Sequence, residues 1–343
     1  MNSLPKFSLL TLGLGLVLAA PAQADLNADL AFSSFQNVDL NALAGGQVLQ
    51  ARGGLINFMR GITGQALYVI DAPVTEVQTK LLNWDPAKHP ELLVWIHQPL
   101  PEKPTLADFA PLSTLPDNKS IKYQLTATAG LNPAHPELQV NKDEAQLIAN
   151  LAKQESDPKK LFVDAWSQIL LGRVNSFLDG KAAADYYDLS DGPMYSLSEI
   201  KSLLHSDPKV YGEYQHLFNQ TPLKALATTP MTNPLQHNLY FDVFDIEGSA
   251  GMGTGVVYQG PHGQAIQSLD VEYYINSGVY TTIELEELWP ETINGKQETL
   301  VWRADLVSAP NVAYLRGTER LASGMIMLQE VKQGIDAFKS EFK

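Results

Sequence analysis

Between Asn238 and Val307 apolar and polar residues alternate in short runs, the two-residue period of half-buried strands. Five strands are predicted there: Asn238–Glu247, Gly255–Gln259, Ala265–Ile275, Val279–Leu288 and Thr299–Val307. Asn276-Ser277-Gly278 and Asn294-Gly295 are the clearest hairpin signals between them. The alternation assigns faces in the last three strands. Leu269, Val271, Tyr273 and Ile275 fall on one side, with Val279, Thr281, Ile283 and Leu285, and with Leu300, Trp302, Ala304 and Leu306. Asp270, Glu272, Thr282, Glu284, Glu286, Thr299, Arg303 and Asp305 fall on the other, which the pattern predicts to be wet.

After the last strand the period changes. From Gly317 to Lys343, Leu321, Met325, Leu328, Val331, Ile335, Phe338 and Phe342 recur at steps of three and four, one stripe of a single helix. Such a helix is ~35–40 Å long at ~1.5 Å per residue. Gly324 and Gly334 weaken it by roughly 1 kcal/mol each. A meander with one apolar face and a helix with one apolar stripe predict each other as covers.

The rest of the chain is read the same way. Gln65–Asp71 is β-branched and aromatic and predicts a strand; Pro73 then opens a helix carrying Val74, Val77, Leu81 and Leu82 as far as Trp84-Asp85-Pro86. Leu92–His97 and Ser120–Thr126 are predicted strands, the second because Ile121, Tyr123 and Leu125 alternate with Lys122 and Gln124. From Asp143 to Asn219 the pattern is helical, in pieces separated by Asp-Pro and Gly-Pro breaks. The longest piece bears Phe162, Ala165, Trp166, Ile169, Leu170, Val174, Phe177 and Leu178. Pro222, Pro230 and Pro234 lead back to the sheet.

Composition locates the chain and excludes partners. Met1–Ala24 has one positive side chain, Lys6, then an uncharged run from Phe7 to Ala20, then Ala22-Gln23-Ala24. This is the layout of a secretory signal peptide over residues 1–24, cleaved after Ala24, and the expected destination is the periplasm. The apolar run is under the ~18 residues a membrane helix needs, and no later stretch is long and apolar enough, so an integral membrane protein is not expected. There is no Cys, which excludes thiol catalysis, thiolate metal sites and a lipid-modified N-terminal cysteine. The net charge is −14, and losing Lys6 leaves 23 basic against 38 acidic residues, or −15. Nucleic acid is therefore not an expected partner. With 45% hydrophobic and 18% charged residues the chain is expected to fold around a core.

The stretch YVIDAPVTEVQTKLLNWDPAKHPEL resembles the first strand, Asp-Ala-Pro corner and short helices that open START-like (SRPBCC) helix-grip proteins, among them polyketide cyclase-like and lipid-transfer members. The meander followed by LRGTERLASGMIMLQEVKQGIDAFKSEF resembles their close. The resemblance covers roughly Gly64–Thr126 and Asn238–Lys343 and breaks over about Asn132–Pro234. It implies an α+β fold in which a curved antiparallel sheet wraps a long C-terminal helix, formed by residues 25–131 and 235–343, with residues 132–234 as a helical insertion. It also implies an apolar cavity between sheet and helix. Tyr273, Ile283 and Trp302 would line it from the sheet, and Leu321, Gly324, Met325 and Leu328 from the helix. Ordinary core packing explains any one of these residues equally well.

Signals for chemistry are sparse. The seven histidines include no pair four residues apart with a carboxylate, so no metal site is expected from spacing, although folding can assemble one. No G-x-S-x-G elbow is present. Gly251-Met252-Gly253-Thr254-Gly255 is followed by no helix and reads as a turn or bulge rather than a phosphate loop. Glu284, Glu286 and Glu287 read as a solvated edge, and His97 as a partly buried histidine or a general base. No catalytic residue and no cofactor is assigned. Three functions stay open: a periplasmic carrier of an apolar small molecule or lipid, a cyclase-like enzyme using the same cavity, and an interaction protein docking a partner on residues 132–234.

Overall fold

The computed structural model describes residues 26–53, 57–179, 185–188, 192–221, 223, 235–246 and 248–343. The proposed signal peptide lies outside them. The architecture is α+β, built on one open sheet of eight strands. Three strands come early: β1 (Leu49–Arg52), β2 (Gly61–Ile70) and β3 (Val94–Leu100). β4 (Asp185–Asp188) and β5 (Gly192–Tyr195) form a separate small hairpin. The long meander follows: β6 (Gln236–Ile246), β7 (Ser249–His262), β8 (Ala265–Ile275), β9 (Thr281–Ile293) and β10 (Lys296–Ser308). The order across the sheet is β1-β2-β10-β9-β8-β7-β6-β3, with every neighbouring pair antiparallel. Asn294 and Gly295 both have positive φ, 53° and 81°, the backbone a two-residue hairpin of primed type requires.

Nine α-helices are described. Leu26–Asp29 (α1) and Leu40–Ala44 (α2) are short; α3 is Val74–Leu82. Lys119–Ala129 (α4) leads into the middle block, residues 132–234, which holds Lys142–Ala152 (α5), Pro158–Leu178 (α6), Ser196–Leu204 (α7) and Pro208–Phe218 (α8), and Gly317–Ser340 is α9. None of the described helices is long and apolar enough to cross a membrane.

Two expectations from the sequence are corrected. Ser120–Thr126 is not a strand but the body of α4, capped by the Asn118 side chain, which accepts from Ile121 N at 2.8 Å. Its buried positions are Ser120, Ile121, Gln124 and Thr128, a helical spacing carried mostly by polar side chains. Gln124 and Thr128 are invisible to a hydrophobic pattern because hydrogen bonds, not apolar contact, bury them. Of the two readings of the glycine run 251–255, the turn is overturned and the bulge kept: the run lies within β7, with a register shift against β8 between Thr254 and Gly255.

A third correction concerns which element covers which face. The apolar face of the meander does not meet α9. Leu269, Val271, Tyr273, Ile283, Leu285, Leu300, Trp302 and Leu306 share one core with helices α4–α8, including Phe162, Trp166, Phe177, Leu203, Tyr214 and Phe218. On the opposite face α9 buries Met327, Val331, Ile335 and Phe338 against Ala66, Tyr68, Ile70, Leu288 and Val301. The reason is width. Eight strands spaced about 4.8 Å apart are about 34 Å across, whereas a helix with its side chains is about 10 Å wide. One helix therefore covers only the β1–β2 end, where that face is apolar, and several helices are needed to cover the other face.

Candidate functional site

The acidic face predicted to be wet is partly covered: Glu272, Glu286 and Thr299 are buried, and Asp270, Thr282, Glu284, Arg303 and Asp305 are half-buried. Beyond the strip held by α9, the end of α3 and the Trp84–Lys88 turn arch over the sheet and leave a cleft of about 360 Å³. Its floor is Tyr240 and Asp242 of β6, Val257 of β7, Ser268 and Asp270 of β8, and Glu284 and Glu286 of β9; His97 of β3 forms a wall. The roof is fixed to α9 through Trp84, whose ring meets Phe338 edge-on at 5.1 Å and lies 4.7 Å from His89. His89 Nε2 in turn lies 3.1 Å from Glu341 Oε1.

The strand pairing explains why these side chains share a cleft. Asp242 pairs with His97 across β6–β3, and Asp270 pairs with Glu284 across β8–β9. Residues facing each other in register project to the same side. The β7 glycines between them clear the floor. A Cβ on Gly255 would sit 2.3 Å from the Tyr240 ring, and one on Gly253 would sit 2.7 Å from Glu272 Oε1. Both side chains therefore lie flat across β7 where any other residue would block them.

Charge on this face is unbalanced. Asp242, Asp270, Glu272, Glu284, Glu286 and Asp305 share this face with Arg303 and His97, and the cleft rim adds Lys88, already paired with Asp85 at 3.4 Å. Arg303 is occupied: it grips Asp305 with two hydrogen bonds, 2.9 and 2.6 Å, bonds Glu284, and lies 4.0 Å from Glu286. His97 Nδ1 lies 2.8 Å from Asp242 Oδ1. The rest make do with neutral donors. Tyr240 OH donates to Asp270 at 2.6 Å, Thr282 to Glu272 at 2.7 Å, and Tyr68 reaches Glu286 at 3.4 Å. Glu272 Oε1 is buried with no partner. Burial accordingly pushes the Asp270 carboxyl up to about 7, with the Asp242 charge adding to it and the Tyr240 bond opposing. Glu272, Glu284 and Glu286 are also raised, first by burial; Arg303 offsets only part of this for the last two. Burial pulls the His97 pKa down, but the charge and hydrogen bond of Asp242 outweigh it and leave it raised.

The residues predicted to line an apolar cavity are not brought together. Tyr273 stacks on Phe177 of α6 at 3.9 Å, and Ile283 is buried in the same core. Trp302 donates to Gln65 and meets Phe32 edge-on at 4.7 Å. All three lie on the sheet face away from α9. On α9, Leu321 and Met325 are 46% and 62% exposed, Gly324 faces the Arg52 stem, and Leu328 abuts Gly64. The expectation that Glu286 and Glu287 are solvated is corrected too: each is 2% exposed, Glu286 under the cleft and Glu287 on the opposite face. Tyr240 and Asp242 carried no sequence signal beyond the small residues of β7. Comparison of the chain with family models, with curated proteins and with solved structures finds no match.

Proposed function

We propose that this chain is an exported binding protein of START-like, helix-grip layout whose cleft takes a small organic cation. The observation that carries the reading is the surplus of buried and half-buried carboxylates on the cleft floor. A buried carboxylate without a cation is costly and answers by holding its proton. An ammonium or guanidinium entering the cleft would stabilise the ionised forms, with Trp84 and Tyr240 offering aromatic faces to it. This lining favours a cation over the apolar or lipid cargo expected from the family resemblance. It also favours binding over partner docking on residues 132–234, because the apolar stripe of α6 is taken up inside the protein's own core.

The test is calorimetric titration of putrescine, spermidine and choline into protein purified from the periplasm, with cis-parinaric acid as the apolar probe. N-terminal sequencing of the same sample is expected to begin at Asp25. At least one amine should bind, with affinity rising between pH 5.5 and 8 as the Asp270 carboxyl ionises. Asp270→Asn and Glu286→Gln should each weaken it about tenfold. Uptake of parinaric acid with no amine response would restore the apolar-carrier reading; no response to either would make the acidic face purely structural. A second reading has one observation behind it: a carboxyl with pKa near 7 beside a His–Asp pair suits general acid–base catalysis at neutral pH. It predicts the opposite split, with Asp270→Asn abolishing turnover of a bound amine and leaving its affinity intact.

A further inference from the structure

A second cluster lies on the opposite face of the sheet, at the β7–β8 hairpin. Glu213 comes from α8, His262 from the end of β7, Gln267 from β8 and Glu287 from β9. One ligand atom from each of Glu213, His262 and Glu287 lies within 4.8 Å of the others. His262 Nδ1 is 3.0 Å from Glu287 Oε1, 3.4 Å from Glu213 Oε1 and 3.0 Å from Gln267 Nε2. One ring nitrogen cannot satisfy all three. Protonated, it donates to a carboxylate but faces the amide donor; unprotonated, it accepts from the amide but faces carboxylate lone pairs. Exchanging the oxygen and nitrogen of the Gln267 amide moves the conflict to Glu287 Oε2, 3.1 Å from the same amide atom.

Gln267 supplies an independent observation. It is 0% exposed, its amide points into this cluster, and its Oε1 has no hydrogen-bond partner. His216, three residues after Glu213 on α8, stacks on His262 with centroids 4.6 Å apart and 24° between planes. Its ring is hydrogen-bonded to the Glu213 backbone, while Nε2 is buried without a partner. Asp29 and Glu291 line the same pocket of about 400 Å³ and add negative charge. A metal cation among these atoms relieves the conflict at His262 Nδ1 and Glu287, because an unprotonated imidazole nitrogen, two carboxylates and an amide oxygen are all donors to it; the amide oxygen then gives up the 3.4 Å contact of Gln267 Nε2 with the Glu213 carbonyl.

We propose that Glu213, His262 and Glu287, with the Gln267 amide oxygen as a fourth donor, form a binding site for a divalent transition metal of the zinc type. The imidazole nitrogen favours zinc or its first-row neighbours over calcium and magnesium, which prefer all-oxygen sets. The ion would tie α8 to the sheet at the hairpin and is independent of the acidic cleft.

The experiment is equilibrium dialysis of the untagged full chain against ZnCl2, with metal quantified by atomic emission and thermal unfolding followed in parallel. About one zinc per chain should be retained at micromolar free metal and should raise Tm by several degrees. His262→Ala and Glu213→Gln alter partly exposed side chains; each should weaken zinc binding about tenfold or more while leaving the far-UV circular dichroism unchanged. Glu76→Gln, on the exposed side of α3, should bind zinc like the wild type. X-ray absorption should show a single imidazole in an otherwise oxygen shell. No zinc retained, or zinc held equally by His262→Ala, would overturn the site. If His262→Ala unfolds, Glu213→Gln and the absorption spectrum decide the question.

Discussion

Asp270 shows how a single residue of the cleft trades stability for availability. Its carboxyl titrates near 7 in the folded chain, far above the value of 3.8 it has when free. A raised carboxyl pKa means that the folded state holds the proton more tightly, so the stabilisation is complete below about pH 4 and is lost as pH rises through about 7. Asp270→Asn removes an ionisable group and keeps an oxygen that can accept from Tyr240. The variant should therefore be more stable than wild type by about 1–3 kcal/mol at pH 8, given 1.36 kcal/mol per pKa unit and partial relaxation. At pH 4 the two should melt together. Chemical denaturation at both pH values checks this; an Asn variant equally stable or weaker at pH 8 would show that the carboxylate is not strained by its surroundings. The residue was visible in the sequence as one member of an alternating acidic face. Its partial burial was not, because a two-residue period says which residues share a side and nothing about what lies above that side.

At the scale of the element, α9 separates into two halves. From Met327 onward it buries Met327, Val331, Ile335 and Phe338 on the β1–β2 end of the sheet, while Leu321, Met325 and Ile326 before that point are exposed. Ile335→Ala should cost about 2–5 kcal/mol, as truncation of a fully buried aliphatic does. Met325→Gln should stay within about 0.5 kcal/mol. Equal melting shifts would contradict this docking. The predicted stripe ran straight through both halves, since Leu321, Met325 and Leu328 keep the same spacing as Val331 and Ile335. Periodicity fixes a helix face, but how much of that face is covered depends on where the partner sheet stops. α4 is the converse case: its buried Gln124 bonds the Ala250 carbonyl and its Thr128 accepts from Trp166 Nε1, so a helix held by polar contacts read as a strand.

For the whole molecule, the middle block is the lid of the main core. Besides its apolar contacts it is stapled to the sheet by specific bonds. Arg60 pairs with Glu199 of α7 at 2.8 Å, Tyr274 OH donates to the Gln139 carbonyl at 2.8 Å, and Gln139 N donates to Asn276 O at 2.7 Å. Replacing residues 132–233 with a Gly/Ser linker would strip cover from Leu269, Val271, Tyr273, Ile283 and Trp302 together. The shortened chain should lose cooperative unfolding and bind a hydrophobic dye such as ANS; a sharp thermal transition would instead show that the sheet and α9 fold without the block. Sequence boundaries at Pro133 and Pro234 suggest a separable insertion, because prolines mark where regular structure breaks. They carry no information on whether the two sides of the break share a core.

What the sequence determined by itself was local. The five meander strands, the Asn294-Gly295 hairpin, the strand–helix opening at Pro73 and the long final helix all follow from propensity, turn chemistry and period, which act within a few residues. The partition of the sheet into an apolar and an acidic face was equally local. Only the tertiary structure decided which helices lie on which face, because covering a sheet some 34 Å wide is a matter of area and layer packing rather than of any one segment's pattern. That decision placed Tyr273, Ile283 and Trp302 in a filled core and enclosed Asp270 and Glu286 in the cleft. It also brought Glu213, His262 and Glu287 to one point from positions 49 and 25 residues apart in the chain. The chemistry of this protein depends on those long-range encounters, and burial, which gives the carboxylates their unusual affinity for protons, exists only once the layers have met.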